Sequence, residues 1–82
     1  MFHAIEFRCE FLAKVERPGH AGLEQVPIEE GTRLQAEIKP YVAESGDGPI
    51  EVADLIFEDG SIARAVRFAA FRFLDGSRRR KV

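Results

Sequence analysis

His3, Cys9 and His20 are the only soft metal ligands in the 82-residue chain. A structural zinc site takes four ligands, usually as close pairs. These three are scattered and unpaired, so no metal site is expected. Covalent catalysis needs a nucleophile beside a base. Cys9 with His3 or His20 is the sole candidate. Cys9 shares its parity with the apolar set of its segment and is expected to face the core, where a thiol is inert. Ser45, Ser61 and Ser77 fall in turns or near the end of the chain. Glu29-Glu30 and Glu58-Asp59 are paired carboxylates, but both lie at turns, where acids are ordinary solvated residues. Gly46-Asp47-Gly48 is too short for a phosphate loop and leads into Pro49, not a helix. No cofactor, small-molecule ligand or enzymatic activity is indicated.

The basic residues say more. Met1 to Ser61 holds five Lys/Arg against thirteen Asp/Glu; Ile62 to Val82 holds seven Lys/Arg and one acid, Asp75. Arg64, Arg67, Arg72, Arg78, Arg79, Arg80 and Lys81 interleave with Phe68, Phe71 and Phe73. Cations neutralise phosphates and exposed aromatics stack on bases, so RNA or single-stranded nucleic acid is one candidate partner. The overall pI of 5.7 is low for that role. The plainer reading sets the basic part against the acidic part of its own chain or of a second copy. A protein partner or homo-oligomer is therefore the first expectation, with Arg67, Arg72, Arg78, Arg79, Arg80 and Lys81 as candidate contacts.

These residues need elements to hold them. Ile5, Phe7, Cys9, Phe11, Ala13 and Val15 alternate with charged residues, broken only by Leu12. That predicts one strand with a wet face and a buried face. Pro18 and Gly19 end it. Val26-Pro27-Ile28 suits a short edge strand. Thr32 to Val42 alternates again, and Pro40 suggests an edge or bulge. Glu44 to Pro49 reads as loop. Ile50 to Phe57 is a strand whose apolar parity switches, which a bulge near Ala53-Asp54 reconciles. Asp59-Gly60 is a hairpin signal. Ile62 to Leu74 has two readings. As a helix it runs from an N-cap at Ser61 to a C-cap at Gly76, and its four alanines favour this. As strands it breaks near Ala69-Ala70, and a last strand carrying Phe71 and Phe73 pairs with the first. The strand reading is preferred because it gives the Asp-Gly hairpin a partner.

Gly19, Pro27-Ile28, Gly31 and Arg33, set after an apolar first strand, resemble the C-terminal β-barrel domain of elongation factor Tu and its small stand-alone relatives. His20 stands where that family has a second Gly, Thr32 replaces a Tyr, and the loop is longer. The resemblance covers under half the chain. It implies a closed antiparallel barrel of about six strands that binds protein or RNA, without nucleotide hydrolysis. It also makes the loop around His20 and Arg33 a candidate surface.

The expected fold is one all-β domain over 1–76, a small antiparallel barrel or barrel-like sheet of five to six strands, with a basic flexible tail at 77–82. The alternative is α+β with a helix at 62–74. A chain this short buries roughly 60% of its unfolded surface, enough for one modest core. No apolar run nears the ~20 residues of a membrane helix. A single cysteine and no secretory signal at Met1 predict a cytoplasmic protein with no membrane partner.

Overall fold

The computed structural model describes residues 1–74. Asp75, Gly76 and the expected basic tail, with Arg78, Arg79, Arg80 and Lys81, lie outside the described residues. The rest is all-β. Seven antiparallel strands form one sheet in the order β3-β2-β6-β5-β4-β1-β7. The strands are β1 (His3–Phe7), β2 (Phe11–Glu16), β3 (Glu24–Ile28), β4 (Arg33–Ser45), β5 (Gly48–Phe57), β6 (Ile62–Arg67) and β7 (Phe71–Phe73). A single 3-10 turn, Phe68–Ala70, separates β6 from β7. The helix alternative for 62–74 is thereby excluded.

The expected first strand is broken in two. β1 and β2 are separated by Arg8, Cys9 and Glu10, which turn a corner. That break raises the strand count to seven. Cys9 sits at the corner and is exposed, not core-facing as its parity predicts. Pairing continues across the corner without a slip. Glu6 faces Arg33 and Phe11 faces Ile28; each pair of numbers adds to 39. At the corner, the Phe7 amide donates to the Thr32 carbonyl (2.9 Å) and the Gly31 amide to the Phe7 carbonyl (2.8 Å). Gly31 has a φ of 88°, which a side-chain-bearing residue rarely adopts.

This corner forces the curl. β1 and β2 lie four places apart in the sheet, which in a flat sheet is roughly 19 Å at ~4.8 Å per strand. The chain from Phe7 to Phe11 spans at most about 14 Å. The sheet must therefore bend round, giving a curled half-barrel. β7 pairs with β1 as expected, Phe7 opposite Phe71. Both β7 and β3 remain outer strands, so that pairing does not close a barrel.

The concave side holds the core. Ile5, Phe7 and Leu55 are its largest fully buried side chains. Phe7 meets Phe11 and Phe71 with ring centroids 5.5 and 6.3 Å apart. Ala13, Ala36, Ala53, Ala63 and Ala70, with Val15 and Val66, complete it. A tightly curled sheet leaves little interior, and alanine is what fits.

Two further expectations are revised. The loop at 44–49 shrinks to Gly46-Asp47, because β4 runs on to Ser45 and β5 starts at Gly48. The irregularity at Ala53-Asp54 is present, but the β4–β5 ladder is unbroken there. The shift is against β6, where Arg64 and Ala65 oppose the single Asp54. The extra residue is on β6.

Phe7→Ala is expected to remove about 3–5 kcal/mol, a large part of the ~5–15 kcal/mol that holds a small domain folded. With no tryptophan in the chain, far-ultraviolet circular dichroism in urea is the suitable measurement. A loss below about 1 kcal/mol would show that the ring is not central to the core.

Candidate functional site: a groove between parting strands

The bulge on β6 has a geometric consequence. β2 and β6 pair at Glu16–Ile62, Val15–Ala63 and Lys14–Arg64, and there the ladder stops. In the same register Ala13 would next meet Ala65, then Leu12 would meet Val66. Instead the strands part. Between them lies a groove of about 340 Å³, lined by Phe11, Leu12, Ala13, Val66 and Ala70 with Lys14, Arg64 and Arg67, and with Cys9 and Ala65 also at its walls. On this side neither Phe11–Ala13 nor Ala65–Arg67 has a strand partner among the described residues. The groove is open to solvent: Leu12 is 61% exposed, and Cys9, Lys14, Ala65 and Arg67 are exposed too.

Ala65 is the only non-glycine with positive φ among the described residues, at 55°. A left-handed conformation costs an L-residue about 1–2 kcal/mol. Asp54 holds it. One carboxylate oxygen of Asp54 accepts from the Ala65 amide (3.0 Å) and from the Tyr41 hydroxyl (3.0 Å). The other accepts from Arg64 Nη1 at 2.7 Å. Desolvation is the largest influence on Asp54 and raises its pKa. The bonds from Ala65, Arg64 and Tyr41 together outweigh it and leave the pKa lowered. Arg64 also donates from Nε to Glu16, at 3.0 Å. Its charge is therefore neutralised on both sides. Lys14 and Arg67 carry no ion pair among the described residues, and no carboxylate lines the groove. Strain of this kind collects at functional sites.

The sequence-predicted residues are scattered over this frame. Arg67 lies in the groove. Arg72 and Arg33 meet elsewhere, on Glu6. Arg72 Nε donates to one oxygen of Glu6 at 2.8 Å and Arg33 Nε approaches the other at 3.4 Å. Their register positions on β7 and β4, both opposite Glu6 on β1, bring this about. His20 and Arg33 do not share a surface. His20 is in the β2–β3 turn, its amide donating to the Arg17 carbonyl (3.1 Å). Arg33 is beyond the far end of that ladder. His3 packs edge-on against Phe73, centroids 5.6 Å apart. Among the described residues no three His, Cys, Asp or Glu side chains are placed to hold a metal. No helix of the described residues is long and apolar enough to cross a membrane. Phe71 is buried, and Phe68 and Phe73 pack against the core. These rings do not form an open stacking platform.

Sequence reasoning missed Lys14, Leu12 and Ala65. The first two read as one wet face of a strand. Only the parity break at Leu12 hinted that this face has an apolar patch.

Comparison with protein-family models, with curated proteins and with solved structures returns no match for this chain. The elongation-factor resemblance therefore remains an expectation resting on Gly19, Pro27, Gly31 and Arg33.

Ala65→Gly is expected to relieve the left-handed strain, offset by glycine's entropy cost of about 0.5–1 kcal/mol. The variant should be as stable as the parent or gain up to about 1 kcal/mol. Ala65→Val should lose more than about 1 kcal/mol, because a β-branched residue fits this conformation worst. Urea midpoints at unchanged slope test both; a Gly variant clearly less stable than the parent would rule out strain here.

Glu6 supplies a pH prediction. The hydrogen bond from Arg72 is the main influence; with Arg33 it outweighs partial desolvation and holds Glu6 below its ordinary 4.5. A carboxylate lowered in the folded state stabilises fully above its unfolded value. That contribution is lost as pH falls through the lowered folded value. The stability gap between the parent and Glu6→Gln should therefore be largest at neutral pH and shrink below about pH 4.5. A gap that is constant from pH 7 to pH 3 would dismiss the pairing as a stabilising contact.

Proposed function

We propose that this domain is a non-catalytic binding module whose role is association with another protein or with a second copy of itself. The observation that supports this most is the groove between β2 and β6, where two strand edges are left open among the described residues. Unpaired strand edges are templates for another chain. The outer edges are guarded. β3 carries Pro27. The stretch of β4 beyond Ala36, which β1 does not cover, carries Lys39 and Pro40. β7 is three residues long. Proline and lysine on an edge, and short edge strands, are the usual devices against unwanted pairing. The β2–β6 opening has no proline on either wall, and its cations, Lys14 and Arg67, repel a basic strand but not an acidic one. The nucleic-acid alternative has less support, since its aromatic residues are occupied in the core.

The test is site-specific cross-linking in cells. A photoreactive phenylalanine analogue at Leu12 should give a discrete adduct, identified by mass spectrometry, or a species of twice the chain's mass. The same group at Gln25, on the exposed face of β3, should not. No discrete adduct at Leu12, or equal adducts at both positions, would overturn the reading.

A further inference from the structure

We infer that the groove takes an extended acidic segment of a partner protein, added as a strand between β2 and β6. This rests on the binding reading above and names the chemistry of the partner. Four observations carry it. First, between the Lys14–Arg64 pair and the Arg8–Ala70 hydrogen bond, both walls are strand edges, Phe11–Ala13 and Ala65–Arg67, without a strand partner on the groove side among the described residues. An inserted strand is the ligand that meets main-chain donors and acceptors on two sides at once. Second, the floor is apolar, with Ala13 and Val66 buried beneath it. A strand presents alternate side chains to one face, so every second residue of the ligand is small and apolar. Third, the free charges at the groove are Lys14 and Arg67, because Arg64 is taken up by Glu16 and Asp54. The remaining side chains of the ligand are therefore acidic. Fourth, the opening is held by the Asp54–Ala65 bond, at the cost of a strained alanine.

The chain's own Arg78-Arg79-Arg80-Lys81 run has the wrong sign of charge for this groove. Nucleic acid matches the cations but not the strand edges, whose one aromatic ring, Phe11, packs against Phe7, so it is the competing outcome.

The probe is a capped hexapeptide, Glu-Val-Glu-Val-Glu-Val, titrated into the isotope-labelled full chain and followed by amide chemical shifts. Saturable shifts should be confined to Phe11–Ala13 and Ala65–Arg67, and should weaken with salt. A Lys-Val peptide of the same length should bind at least about tenfold more weakly, a difference of ~1.4 kcal/mol. Alternate N-methylation of the acidic peptide, which removes ladder donors, should abolish the shifts. Lys14→Glu with Arg67→Glu should reverse the preference between the two peptides. Both side chains are exposed, so the fold should survive, and the unperturbed part of the spectrum reports that directly.

The inference is overturned by no saturable shift with the acidic peptide, by equal shifts with the Lys-Val peptide, or by binding that persists after N-methylation. Stronger binding of a short oligothymidylate at the same amides also overturns it. A cross-linked partner at Leu12 with no acidic-peptide binding would defeat this inference and leave the binding role standing. Peptide binding without any cellular adduct would defeat the binding role and, with it, the inference of a partner protein.

Discussion

The register that carries through the corner at Arg8–Glu10 is the constraint from which the rest follows. Residues 3–7 and 11–16 behave as one strand in their pairing numbers, and as two in space. A one-residue slip would turn every side chain of β2 to the other face. It would put Lys14 and Glu16 inside and Ala13 and Val15 outside. Holding the register while bending the strand fixes the sheet's curl. The curl sets the interior volume, and the volume selects alanine at five core positions. Of the four alanines that favour a helix in isolation, Ala63 and Ala70 are thus consequences of a narrow β interior, while Ala65 and Ala69 are exposed. Intrinsic propensity is a weak prior beside such packing.

A curled sheet built from one bent strand must also end its ladders somewhere. β6 begins in register with β2, then gains one residue at Arg64-Ala65 and leaves it. Asp54 binds the two residues that make this departure, through the Ala65 amide and the Arg64 guanidinium. Tyr41 adds a third bond from the β4–β5 hairpin. Four strands thus bear on the opening: β2 and β6 as walls, β5 and β4 as support. An aspartate with three donors around it, its carboxylate favoured over the acid despite desolvation, is a rigid anchor and not a proton carrier.

Much of the fold was legible in the alternation. Phe7, Ala13 and Val15 were expected to face inward and do so. The edge character of Val26-Pro27-Ile28 followed from proline chemistry, the strand reading that broke before Phe71 from the Asp59-Gly60 hairpin signal, and the pairing of first with last strand from their similar apolar texture. What escaped was anything that preserves parity while changing direction. Cys9 keeps its place in the period of two yet turns outward, because a corner need not shift register. The extra residue on β6 was equally hidden. Ala65 gives no local signal for a positive φ, a conformation usually marked by glycine. The site escaped for the same reason. Lys14 and Arg67 are far apart in sequence, and only the pairing of β2 with β6 brings them to the walls of one groove.

The charge asymmetry of the sequence now has a different meaning. Taken whole, the basic C-terminal third suggests a single electrostatic surface. Within the described residues it divides. Arg64 is held by Glu16 and Asp54, and Arg72 by Glu6. Both pair with the acidic body of their own chain, Arg64 with Glu16 and Arg72 with Glu6 across strands distant in sequence, and contribute to sheet register as opposite-charge neighbours do. A cation already ringed by carboxylates attracts an incoming anion weakly. What remains is Arg67, joined not by its sequence neighbours but by Lys14 from the first strand pair. The recognition potential of this chain therefore depends less on how many cations it has than on which of them its own acids leave unspent.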